Sequence, residues 1–99
     1  MATIVYAPNA LSNLERVFTH LAAEDLDAAR KAASAIREAV LVLAHHPLIG
    51  RAIEGKLREL VISFGRTGYI ALYRFVATKD QIRILAIRHQ RELGYTAPP

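Results

Sequence analysis

Apolar positions recur at three- and four-residue steps through the first half of the chain and at alternate residues through the second. Leu11, Leu14, Phe18 and Leu21 form one stripe, which predicts an amphipathic helix capped by Asn9, whose side-chain oxygen can accept a first-turn N–H. The acidic run Glu24-Asp25-Leu26-Asp27 interrupts it, and Asp25 or Asp27 can cap a second helix. There Ala29, Ala33, Ile36, Val40 and Leu43 make the apolar face, and His45-His46-Pro47 ends it because proline pushes its predecessor out of the helical region. Ahead of both helices, Thr3-Ile4-Val5-Tyr6 is β-branched and aromatic and stops at Pro8, the pattern of a short strand.

From Leu57 the period becomes two. Arg58, Leu60, Ile62 and Phe64 share one face, with Leu57, Glu59, Val61 and Ser63 on the other. Gly65-Arg66-Thr67-Gly68 reads as a turn with two glycines at positive φ. Tyr69 to Val76 is a second strand, with Tyr69, Ala71, Tyr73 and Phe75 opposite Ile70, Leu72, Arg74 and Val76. A turn at Thr78-Lys79-Asp80 leads to a third strand over Ile82 to Ile87. Short connections make these three an antiparallel meander. The expected fold is α+β, one domain over residues 1–99. An N-terminal strand and helical hairpin pack on a twisted antiparallel sheet whose second face holds more apolar surface than one hairpin covers.

Composition narrows the chemistry. The chain has 99 residues, 53% hydrophobic and 22% charged, enough for one core. With no cysteine, thiol catalysis and zinc ribbons are excluded, and a reducing cytoplasm is the expected setting. The longest apolar run, Ala39 to Ala44, is far short of the roughly 20 residues that span a bilayer, so no membrane association is expected. Charge is divided unevenly: residues 1–47 carry four basic against five acidic side chains, residues 48–99 nine against four. A basic second half suits nucleic acid or an acidic protein, or simply a solvated face. No phosphate loop, nucleophile elbow or paired-carboxylate motif is present, and no cofactor is expected. His45 and His46 point about 100° apart on a helix, a poor metal pair.

The element order, with Pro47-Leu48-Ile49-Gly50-Arg51, Leu57-Arg58-Glu59-Leu60, Gly68-Tyr69-Ile70-Ala71-Leu72-Tyr73-Arg74 and Ile87-Arg88-His89-Gln90-Arg91-Glu92, resembles the RelE/ParE toxin superfamily over nearly the whole chain. Its members are the toxins of bacterial type II toxin–antitoxin modules, often described as plasmid stabilisation proteins. The resemblance implies a cognate antitoxin, acidic and partly disordered. It also implies one of two targets: RelE-like members cut messenger RNA on the ribosome, whereas ParE-like members inhibit DNA gyrase. The RelE-like pattern has an arginine three residues before the strand tyrosine that here looks like Tyr73. Ile70 stands there, and an aliphatic side chain cannot stabilise a pentacoordinate phosphate. The expectation is therefore a ParE-like gyrase inhibitor without an enzymatic activity. The alternatives are an mRNA endonuclease and a non-toxic module acting in operon autoregulation.

The candidate residues lie near the C-terminus. For target binding they are Arg74, Arg88, Arg91 and Tyr95, types frequent among interface hot spots. For a nuclease they are His89 as acid or base with Arg88, Arg91 and Arg74 on the phosphate. Each has a plainer alternative: His89 as a strand-end histidine, Arg74 in an ion pair with Glu59, and Tyr95 packed over the sheet.

Overall fold

A computed structural model describes residues 1–92 and 94–95. In chain order the elements are β1 (Thr3–Tyr6), α1 (Pro8–Ala22), α2 (Leu26–Val42), β2 (Arg51–Ala52), β3 (Arg58–Phe64), β4 (Thr67–Val76) and β5 (Gln81–His89), with a 3-10 turn at Ala77–Lys79. The sheet order is β1-β5-β4-β3-β2. The meander of β3, β4 and β5 is antiparallel as expected. It gains two edges that the periodicity does not resolve into a sheet position: β1 beside β5, running parallel, and the two-residue β2 beside β3.

Both helices lie on one face of the sheet. Ile36 and Val40 of α2, with Leu43 at its C-terminal cap, pack with Ile62, Tyr69, Ala71, Tyr73, Ile82, Ile84 and Ile87 in the core. Each fully buried aliphatic or aromatic side chain there contributes about 1.5–3 kcal/mol relative to exposure. Of the two candidate caps Asp25 and Asp27, Asp25 caps α2, accepting from Ala28 N–H. The first helix differs from expectation at its start and on its face. Pro8, not a residue after Asn9, opens it, because proline's fixed φ suits the first turn and its missing N–H costs nothing there.

The apolar stripe of α1 is also rotated: Ala10, Asn13, Leu14, Val17 and Leu21 turn inward, whereas Leu11 and Phe18 remain exposed. Leu11 and Phe18 instead line an apolar groove of about 400 Å³ between the helices. The inward position of the asparagine has a backbone cause. Ala7 N–H still bonds Ile84 O, but beyond it β1 has ended and the edge of β5 has no strand partner. Asn9 Nδ2 donates to Leu85 O at 3.3 Å, and Asn13 Oδ1 accepts from Ile87 N–H at 2.9 Å. Two asparagines one helical turn apart thus replace the missing strand. Leu85 is the residue skipped where the β4–β5 register shifts, so its carbonyl would otherwise lack a cross-strand place.

The turn before β4 is tighter than expected. Phe64 pairs with Thr67 across a two-residue loop, Gly65-Arg66, and of the two glycines only Gly65 has positive φ, at 60°. Gly68 is a strand residue, required because a β-carbon there would collide with Ile62 O. Asp80, at φ 46°, closes the turn into β5.

Candidate functional site

Much of the sequence that resembles the toxin superfamily proves to hold one loop. Tyr73, fully buried on the helix face of β4, donates its hydroxyl hydrogen to Pro47 O at 2.8 Å and accepts from Gly50 N–H at 2.9 Å. A β-carbon on Gly50 would lie 2.5 Å from the Tyr73 ring and hydroxyl, so only glycine permits the approach. Arg58 completes the clamp by donating to Gly50 O at 2.8 Å and Leu48 O at 3.1 Å. Pro47-x-x-Gly50, Leu57-Arg58 and Tyr73 are therefore parts of one scaffold. It presents Leu48 and Ile49 to solvent and leads into β2.

The sheet face turned away from the helices carries the first candidate cluster. Glu59 sits there, only 7% exposed, opposite Leu72 in the β3–β4 register. It is paired with Arg51 of β2 and accepts the Tyr95 hydroxyl at 2.7 Å. Tyr95 also lies under the Arg88 guanidinium, 5.2 Å from the ring centroid. Glu59 belongs to β3 and Arg88 to β5, so Tyr95 spans β4, where Ile70 and Leu72 are buried on this same face. The tyrosine thus reaches across the outer face from Glu59 to Arg88.

Electrostatics hold this arrangement together. Burial drives the Glu59 carboxyl upward, but the Tyr95 and Arg51 hydrogen bonds and the charges of Arg51 and Arg88 outweigh it, leaving the group below the usual glutamate range. Burial and the adjacent carboxylate raise the Tyr95 hydroxyl well above its ordinary value, with Arg88 opposing them, so it remains a donor. Arg88 donates to Glu92 O at 2.7 Å, while its buried Nε has no partner among the described residues. Arg74 is exposed on this face too, but the ion pair with Glu59 is not formed: Arg51 holds that carboxylate.

His89 is elsewhere. It pairs with Tyr69 across β4–β5, one residue beyond Arg88, and its ring therefore lies on the helix side of the sheet. It meets the Tyr69 ring edge-on, centroids 5.4 Å apart. Arg91 N–H donates to Nδ1 at 3.1 Å, which places the ring hydrogen on Nε2, 2.7 Å from Thr67 Oγ1. His89 borders a cleft of about 530 Å³ with Arg16, His20, Phe64, Thr67, Tyr69, Arg91 and Glu92. Glu92 ties the rim down: its side chain accepts from His89 N–H and lies 3.9 Å from Arg16.

The C-terminal candidates thus separate into two groups. Arg74, Arg88 and Tyr95 occupy the outer face; His89 and Arg91 border the cleft behind it. Sequence reasoning took Glu59 only as a counter-charge for Arg74, and missed Arg51. Their signal was a lone acidic residue in an apolar strand, one β-bridge from an arginine. Among the described residues no group of three His, Cys, Asp or Glu side chains is placed to hold a metal, and no helix is long and apolar enough to cross a membrane.

Known proteins share this sequence pattern and fold. The chain is 33% identical over 92 residues to Toxin RelE3 of Caulobacter vibrioides, covering 93% of this chain and 98% of that protein. The fold superimposes on the chromosomal ParDE toxin–antitoxin system of P. aeruginosa with a TM-score of 0.71 and 25% identity, over 90% of this chain and 96% of that one. The intact E. coli RelBE complex matches with a TM-score of 0.67 over 93% of this chain and 100% of that one, at 8% identity, a likeness of fold. A model of the ParE toxin of the parDE type II toxin–antitoxin system matches residues 4–94, and the chain belongs to that family within the RelE/ParE superfamily.

Proposed function

We propose that this type II toxin acts by binding DNA gyrase through the outer face of its sheet, without catalysing a reaction, and is neutralised by a cognate antitoxin. The observation that carries the reading is the separation of His89 from Arg88 and Tyr95 by the thickness of the sheet. RNA cleavage by 2′-hydroxyl attack needs a proton acceptor, a proton donor and fixed positive charge within reach of one phosphate. Here the one C-terminal histidine, which shares its cleft with Arg16 and Arg91, has both ring nitrogens engaged by Thr67 and the Arg91 N–H, while Arg88 is stacked on Tyr95 on the other face. At the centre of that outer face Ile70 offers no charge. A surface of arginine and tyrosine around a buried apolar centre is the composition of a protein-binding hot spot. The antitoxin reading draws on the relatives, since the P. aeruginosa ParDE and E. coli RelBE structures are toxin–antitoxin systems or complexes.

A supercoiling assay with purified gyrase and purified toxin tests the reading directly. Inhibition that the antitoxin relieves is the expected result. Cut messages and arrested translation on toxin induction, with supercoiling untouched, would replace it by the ribosome-dependent nuclease. His89→Ala sharpens the distinction: a nuclease relying on that ring loses roughly 10²–10⁴ in rate, whereas the gyrase inhibitor retains most of its potency.

A further inference from the structure

Arg74 of β4 and Arg83 of β5 stand directly opposite each other in the antiparallel register. Opposed residues share a face, and their neighbours Tyr73 and Ile84 are buried under the helices, so both arginines lie on the outer face. Arg74 is exposed and Arg83 half-buried. Like charges directly opposed across strands destabilise a sheet. Nothing relieves them here: the ion pairs among the described residues are Arg16–Glu92, Lys31–Asp27 and Arg51–Glu59, and neither Arg74 nor Arg83 takes part. The carboxylate on this face, Glu59, is already held by Arg51 and Tyr95. Two arginines opposed in register, with no counter-ion among the described residues, can bring parallel donors to one planar anion.

We propose that Arg74 and Arg83 form a clasp for a carboxylate side chain on the toxin's protein target. The rest of the face favours a protein over a nucleic acid. Val61 is 56% exposed beside the buried Ile70. Apolar contact around an arginine pair suits a protein surface. The clasp rests on the proposed function for taking this face as the working surface and extends it by naming the chemical group recognised.

Arg83→Glu tests the clasp, because it places a carboxylate opposite Arg74 and closes the pair internally. Thermal stability is expected to rise by about 1–6 °C, while gyrase inhibition and growth inhibition on induction weaken at least ~10-fold. Arg83→Gln, which removes the repulsion without filling the clasp, is expected to melt no lower than wild type and also to lose potency. Full potency in a folded Arg83→Gln toxin overturns the proposal, as does an unchanged or lowered melting temperature for Arg83→Glu. Binding of a labelled single-stranded RNA or DNA by wild type, abolished in Arg83→Glu, would also overturn it, by making the ligand a phosphate. If wild-type toxin leaves gyrase untouched, the gyrase reading fails by itself. The clasp then stands or falls on growth inhibition and the melting shift.

Discussion

At the residue scale, the outer face depends on a single buried carboxylate. Glu59 gathers Arg51 from an edge strand and Tyr95 from beyond the last strand, and its charge also acts on Arg88. Because folding holds its carboxyl below the unfolded value, the stability it contributes is fully present above the usual glutamate range and is lost as pH falls through the lowered folded value. Melting temperature recorded from pH 7 down to pH 3 should therefore fall more steeply for wild type than for Glu59→Gln. Equal slopes would show that the carboxylate does not link folding to pH. Tyr73 has a different role, since its hydroxyl serves two backbone groups of the Pro47–Gly50 loop. Tyr73→Phe should cost about 1–3 kcal/mol, read as a denaturant midpoint shift, with faster amide exchange at Gly50.

At the element scale, the join between α1 and β5 is held by side chains standing in for a strand. Asn13→Ala leaves Ile87 N–H buried without its acceptor, at a cost of about 1–3 kcal/mol. For a chain of this length that is a melting shift of roughly 4–20 °C. A shift below 1 °C would mean that water replaces the asparagine. The sequence foretold the existence of both helices, an acidic cap at Asp25 or Asp27 and the alternating faces of β3 and β4, because these follow from local pattern. The inward asparagine was not legible. In a periodicity count it is simply a polar residue, and its partner is 74 positions away.

At the scale of the whole molecule, the last strand serves two surfaces through one turn. Arg88 faces outward to Tyr95, His89 faces the cleft, and Glu92 and the Arg88 guanidinium brace the turn that follows. A chain ending before Gln90 should lose toxicity while keeping its helices, as growth on induction and far-ultraviolet circular dichroism would show. It should also bind a hydrophobic dye more strongly than the full chain, because Ile70 and Leu72 lose the Tyr95 cover. Dye binding equal to that of the full chain would mean that the tyrosine is not what shields this face.

What the sequence determined by itself was whatever local periodicity, capping and turn chemistry encode: two amphipathic helices, three alternating strands, a basic C-terminal half and the motifs of a toxin superfamily. Tertiary structure alone decided three things. It set β1 parallel beside β5, which requires two segments some 80 residues apart to meet. It rotated α1 so that Asn13 rather than Leu11 faces the sheet, because an unpaired N–H in the interior costs more than leaving a leucine at a groove. And it divided a run of adjacent polar residues between two surfaces. Successive side chains of a strand point to opposite faces, so Arg88 and His89, neighbours in the chain, face different surfaces.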